Sequence, residues 1–200
     1  VVNVHHFANQ ITDYLDAHNY GVDIYVSDET EQLLDTGGGI KRAASLFDQH
    51  QPVLIHNVDI LSNVDLAAFY RHALETKADA LLLVSRRVTQ RYLIFDSNMR
   101  LVGWTNVATG EVKSPHAEIR QLHFVSPTEE ESSCYQNNCY LCAFSGIHVL
   151  APSAVQTVEA VDKDKFPIMD FYLNNCDTLD IRGELKTDLH LLDVGKLDSL

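Results

Sequence analysis

Pro52-Val53-Leu54-Ile55-His56, running directly into Asn57-Val58-Asp59, is the stretch from which the fold is read. A short apolar run without polar alternation, closed by a turn signal, is the pattern of a buried strand in a parallel sheet covered on both faces. C-terminal to it, Ser62 and Asp65 offer a capping pair, and Leu66, Phe69, Tyr70, Ala73 and Leu74 fall on one helical stripe. Residues 80–84 supply a second buried run. N-terminal to it, residues 1–4 read as a strand, Phe7, Ile11, Tyr14 and Leu15 recur at helical spacing, and residues 22–26 form a β-rich run. Asp35-Thr36-Gly37-Gly38-Gly39 then reads as a loop leading into a helix over 40–47. Strands alternating with helices of this length predict β-α-β units with right-handed crossovers, hence an open, mostly parallel α/β sheet with flanking helices.

The second half has a different rhythm. Residues 92–95 and 101–104 flank the turn Asp96-Ser97-Asn98 and read as a hairpin. Residues 126–138, which include Glu129, Glu130 and Glu131, read as a solvated loop or insertion. A strand is expected over 143–150, helices over 153–161 and 166–175, and short strands over 179–185 and 190–194. With 200 residues and 46% hydrophobic content, one substantial core needs neither disulfide nor metal. No run reaches the roughly 20 apolar residues of a membrane span, and no basic signal region opens the chain, so a cytoplasmic location is expected. The net charge of -13 argues against wide contact with a nucleic-acid backbone and favours a small phosphorylated ligand accommodated through a divalent cation. Cys134, Cys139 and Cys142 are crowded but Cys176 is distant, a spacing that fits reduced thiols in a surface insertion better than a zinc site.

Ligands of open α/β sheets bind beyond the carboxyl ends of the strands, which singles out Asp59. Asp193, within Leu191-Leu192-Asp193-Val194-Gly195, would meet it if the final strands fold back. Two converging carboxylates suit Mg²⁺, a hard cation that shares its oxygen ligands with substrate phosphates; simple loop capping explains the same residues equally well. Three adjacent glycines in Thr36-Gly37-Gly38-Gly39 would let backbone N–H groups approach a base, ribose or phosphate, although spacing alone favours a flexible turn. His5 and His6 point to opposite faces of an extended segment and read as structural. Asp162-Lys163-Asp164-Lys165 is a charged turn from which Lys165 could reach a phosphate.

Five segments in order carry a resemblance: Val1-Val2-Asn3-Val4-His5-His6, Leu34-Asp35-Thr36-Gly37-Gly38-Gly39-Ile40, Asn57-Val58-Asp59-Ile60-Leu61, Phe144-Ser145-Gly146-Ile147-His148-Val149-Leu150 and Leu192-Asp193-Val194-Gly195. Together they resemble the sugar-1-phosphate nucleotidyltransferases, among them the mannose-1-phosphate guanylyltransferases and N-acetylmuramate-1-phosphate uridylyltransferases. The resemblance implies a Rossmann-like nucleotidyltransferase sheet over residues 1–200 with a small β-rich sugar-binding portion. It implies transfer of a nucleoside monophosphate from a nucleoside triphosphate to a sugar 1-phosphate, with a guanylyl donor and mannose-like acceptor preferred and an amino-sugar uridylyltransferase as alternative. By the same resemblance Asp59 and Asp193 would bind the catalytic Mg²⁺, Thr36, Gly37, Gly38 and Gly39 would lie against base and ribose, and Gly146 would admit the sugar. Lys113, in Glu111-Val112-Lys113-Ser114-Pro115, is a loose echo of the family's sugar-phosphate motif. The sequence departs from the pattern at Val58, where the family carries Gly, and lacks the opening strand and the Gly-rich triphosphate loop. That departure predicts an exposed apolar flank, covered by homo-oligomer formation or left by truncation, and keeps a non-catalytic nucleotide-sugar-binding module as the alternative function.

Overall fold

The computed structural model describes residues 1–128 and 134–195. In chain order the elements begin with β1 (Val2–Val4), α1 (Ala8–Asp16), β2 (Val26–Asp28) and α2 (Asp35–Ala43). Next come β3 (Val53–His56), β4 (Ile60–Ser62), α3 (Leu66–Thr76), β5 (Ala80–Ser85), β6 (Arg91–Phe95), β7 (Leu101–Asn106) and β8 (Glu111–Lys113). The remainder is α4 (Ala117–Arg120), β9 (Tyr135–Gln136), β10 (Cys139–Leu150), α5 (Pro152–Glu159), α6 (Ile168–Asn175), β11 (Ile181–Leu185) and β12 (Leu191–Asp193). The chain divides into two compact units, one of Val1–Gln51 with Val155–Phe171, the other of Pro52–Ala154 with the chain from Tyr172 onward.

In the first unit β1 and β2 pair in parallel, Val2 opposite Val26 and Val4 opposite Asp28. Asn3 ties this pair to α2: its amide nitrogen donates to the Glu29 carboxylate at 2.6 Å and to the Gly39 carbonyl at 2.9 Å. Glu29 is buried, and its carboxylate group also accepts from the Leu34 N–H at 3.2 Å, which compensates its polar atoms. Residues 22–25, expected in the strand, lie before it; β2 begins only at Val26. Val1, Phe7, Tyr14, Val22 and Tyr25 are exposed in this unit.

The second unit is organised by β10. Its C-terminal half lies between β3 and β5, antiparallel to both, while its N-terminal half pairs with β6 and β9. Strand β11 pairs with β5 in parallel, and β6, β7 and β8 continue the sheet as an antiparallel meander. The sheet is therefore mixed rather than mostly parallel. The unbroken apolar runs behind the parallel reading report burial on two faces, which β5 has in full and β3 only in part, and burial does not encode strand direction. One core cluster, Phe69, Ala73, Leu81, Leu83, Ile147 and Val149, packs α3 on the sheet; another, Tyr92, Ile94, Phe124, Cys139 and Leu141, fills the meander. The meander contains the hairpin read from residues 92–104 and supplies a small β-rich portion, as the resemblance implies.

Near the C-terminal end of β10, His148 is buried and shares a short hydrogen bond with the Tyr172 hydroxyl. Burial pushes the imidazole down to about 3, so the ring that meets the tyrosine hydroxyl through Nδ1 is neutral. The four cysteines are buried, not in a surface insertion, and none is in a disulfide. The β9–β10 pairing turns that segment inward, and desolvation raises the Cys142 thiol to about 12 and the Cys176 thiol to about 11. Of the stretch read as a solvated loop, the glutamates 129–131 lie outside the described residues.

Candidate functional site

Asp59 stands in the turn between β3 and β4, closed by the Ile60 N–H donating to the Asn57 carbonyl at 3.1 Å. Val58 precedes it at the tip, 93% exposed. Strand β12 folds back antiparallel onto β4, with Asp193 opposite Ile60, and the Val194 N–H donates to the Asp59 carbonyl at 2.8 Å. Gly195 shows how close the two carboxylates come. A Cβ built there would lie 2.7 Å from Asp59 Oδ2 and 3.3 Å from Asp193 Oδ1, so the oxygens are separated by no more than the sum of those distances. The Gly195 N–H also donates to Asp193 Oδ1 at 3.1 Å. Two hard oxygen donors thus flank a space from which glycine has removed the side chain.

Those residues fit a divalent cation of the Mg²⁺ type, which takes one or two protein carboxylates and completes its shell with water and phosphate oxygens. Among the described residues no group of three or more His, Cys, Asp or Glu gathers as a metal cage. A cation here would depend on ligand oxygens for the rest of its coordination.

Gly146 adjoins the same turn. It has φ +79° at an irregularity in β10, its carbonyl accepts from the Asn57 N–H at 3.1 Å, and a Cβ would meet Asn57 Nδ2 at 2.8 Å. An L side chain there would be strained by the backbone conformation and would press on the Asn57 side chain. Gly146 therefore lets the end of β3 close onto β10, setting the turn that carries Asp59.

The glycines at 37–39 are not a loop. They are buried in the opening turns of α2, which starts at Asp35 rather than at residue 40. The Gly37 and Gly38 N–H groups donate to the Phe166 carbonyl at 2.9 and 3.1 Å, and Thr36 Oγ1 accepts from the Ile168 N–H at 2.9 Å. A Cβ on Gly38 would lie 2.0 Å from the Asp164 carbonyl oxygen, and one on Gly37 2.4 Å from the Phe166 ring. Lys41 completes the contact, donating to the Val161 carbonyl at 2.7 Å and to Asp164 Oδ1 at 3.0 Å. These glycines serve close packing of helix against chain, and the Gly37 and Gly38 amides are already engaged; Asp35 and Thr36 are the exposed residues of the turn.

Lys165 is exposed in the first unit. Lys113 pairs with Glu111 at 3.4 Å and lies 5.1 Å from the centre of the Trp104 ring. His5 and His6 stack edge to face, and His5 Nδ1 meets the Glu29 carbonyl at 2.5 Å, a structural contact. A cavity of about 310 Å³ opens in the first unit among His5, Phe7, Ala8, Asn9, Gln10 and Thr30; none of the predicted ligand-binding residues lines it. Sequence reasoning missed the parts played by Asn57 and Gly195. A glycine two residues beyond a carboxylate and an asparagine two residues before one were the available signals.

No family model matches the chain. A segment of 62 residues is 44% identical to the N-acetylmuramate alpha-1-phosphate uridylyltransferase of Caulobacter vibrioides, taking in 30% of this chain and 25% of that protein. Among solved structures, HddC from Yersinia pseudotuberculosis superposes with a TM-score of 0.63 and 17% identity, over 98% of this chain and 73% of that one. The inositol-1-phosphate CTP transferase from T. maritima does so with a TM-score of 0.63 and 11% identity, over 100% of this chain and 71% of that one. The chain resembles the sugar-1-phosphate nucleotidyltransferases and has their Rossmann-like fold, in an open mixed α/β sheet with flanking helices. Among the described residues no helix is long and apolar enough to cross a membrane.

Proposed function

We propose that this protein is a sugar-1-phosphate nucleotidyltransferase, and that Asp59 and Asp193 together hold the divalent cation, Mg²⁺, on which the reaction depends. The observation that carries the reading is their meeting at Gly195, at the carboxyl end of β3, where ligands of open α/β sheets bind. In the reaction a phosphate oxygen of the sugar 1-phosphate forms a bond to the α-phosphorus of a nucleoside triphosphate. The bond from that phosphorus to the bridging oxygen breaks, and pyrophosphate leaves with its electron pair. The cation supplies charge neutralisation on the phosphate oxygens as negative charge shifts to the leaving group. Asp59, from the β3–β4 turn, and Asp193, from strand β12, would fix the place of that charge, and Gly146, through Asn57, fixes the turn that presents Asp59.

On resemblance alone, Thr36, Gly37, Gly38 and Gly39 are assigned to the nucleoside, Thr36 being the exposed residue of the four, and Lys113 and Lys165 to the sugar phosphate. Two relatives are named for uridylyl and CTP transfer, so the fold is compatible with more than one base. A guanylyl donor with a mannose-like acceptor remains the preferred pair, on resemblance. The test is pyrophosphate release with Mg²⁺, GTP, UTP or CTP, and a panel of sugar 1-phosphates. Turnover with one pair, lost in Asp59→Asn, is expected; binding of a nucleotide sugar without turnover would assign a non-catalytic binding module instead.

A further inference from the structure

The ribbon that brings Asp193 to Asp59 is short. Strands β12 and β4 share three residue pairs and no other strand among the described residues joins them. A two-stranded ribbon of this size is marginal alone. Because side chains alternate, a slip of one residue would turn Asp193 to the opposite face, away from Asp59.

Two features on the approach to β12 resist such a slip, and they differ in kind. Leu189 packs, like Ile60 and Val64, against the core cluster around Phe69 and Ile147. Apolar packing is non-directional and tolerates sliding. Asn63, immediately after β4, uses both ends of its carboxamide: Nδ2 donates to the Asp188 carbonyl at 2.8 Å, and Oδ1 accepts from the His190 N–H at 2.9 Å. The carboxamide thus grips the backbone on either side of Leu189. A slip of one residue would carry the Asp188 carbonyl and the His190 N–H away from the carboxamide and break both bonds. The nearby Lys186–Asp188 ion pair, at 2.9 Å with Asp188 largely exposed, holds no register of its own and contributes little.

We infer that Asn63 is a positioning residue that sets the register of β12 and so holds the Asp193 and Asp59 carboxylates on one cation. This rests on the metal-site reading above. Asn63 acts through backbone groups of the approach segment.

The test compares the unaltered protein, Asn63→Ala, Asn63→Asp and Asp59→Asn by Mn²⁺ titration calorimetry, melting temperature and, where turnover is measurable, the Mg²⁺ dependence of pyrophosphate release. Asn63→Ala is expected to weaken Mn²⁺ binding and raise the half-saturating Mg²⁺ about tenfold, the scale of one or two lost hydrogen bonds, with the rate restored at saturating metal. Asn63→Asp keeps the acceptor for His190 and loses the donor to Asp188, so its effect should be intermediate; it carries the test if the alanine variant fails to fold. Unchanged Mn²⁺ affinity in Asn63→Ala beside abolished binding in Asp59→Asn would overturn the role of Asn63 and leave the metal site standing. Intact binding in Asp59→Asn would overturn both. A loss that tracks the melting temperature and is not reversed by excess metal would make Asn63 an ordinary stabilising residue.

Discussion

Gly38 and Gly195 both stand where a side chain would collide, yet the two collisions differ in kind. At Gly38 the obstacle is the Asp164 backbone carbonyl, 2.0 Å from where a Cβ would be, and the neighbouring amides already bond to the Phe166 carbonyl. At Gly195 the nearest obstacles are the ends of two carboxylate side chains rather than backbone. The first glycine is closed by backbone packing; the second faces the two carboxylates of the proposed metal site. A glycine cluster therefore does not identify a binding loop until the atoms facing its missing side chains are known.

That contrast can be broken by substitution. The largest effect is expected at the carboxylates: Asp59→Asn should lower Mg²⁺-dependent pyrophosphate release by roughly a hundredfold or more while leaving the melting temperature nearly unchanged, since a metal ligand contributes several kcal/mol of transition-state charge stabilisation. Gly38→Ala should do the reverse. It forces helix α2 from the Asp164 carbonyl and should cost about 2–3 kcal/mol of stability in chemical denaturation, the upper range for overpacking.

A third experiment uses a region that belongs to neither glycine. His148 is held near 3 by burial, against an ordinary value of 6.5, so the unfolded chain binds the extra proton between those limits. Its contribution to stability is complete above pH 6.5 and is lost as the pH falls toward 3, with a slope of up to about 1.4 kcal/mol per pH unit. Urea denaturation of the unaltered protein and His148→Gln across that window should show the difference in slope; parallel curves would mean that His148 is protonated in the folded protein. The mildest change is expected from Gly195→Ala, whose new methyl group would push Asp59 Oδ2 aside. It should raise the half-saturating Mg²⁺ about fivefold, or roughly 1 kcal/mol, without a change in stability. A loss of stability as large as that of Gly38→Ala would erase the distinction between the two glycines.

Much of the fold was legible because its signals are local. The apolar run at 80–84 became the fully buried β5, the hairpin about Asp96-Ser97-Asn98 is β6–β7, and Asp65 caps α3 by accepting from the Ala68 N–H at 2.9 Å. Strand direction was not legible, because the burial of β3 and β5 is compatible with either direction along β10. The glycine helix was misread for a related reason: three glycines have low helix propensity, and only their contacts with Phe166, Asp164 and Glu29, distant in sequence, hold them helical. At the site, Asp59 could be found from its place after a strand. The fold-back that brings Asp193 to it depends on Asn63 and on a three-residue ribbon, neither of which carries a periodic signal.

The most direct measurement is anomalous diffraction from crystals grown with Mn²⁺ and a nucleoside triphosphate. The predicted result is one peak between the Asp59 and Asp193 carboxylates, bonded to an oxygen of each at roughly 2.1–2.2 Å, slightly longer than for Mg²⁺, with phosphate oxygens completing the shell. Carboxylates turned away from each other, with the ion bound elsewhere, would contradict the metal site and the transferase reading that rests on it.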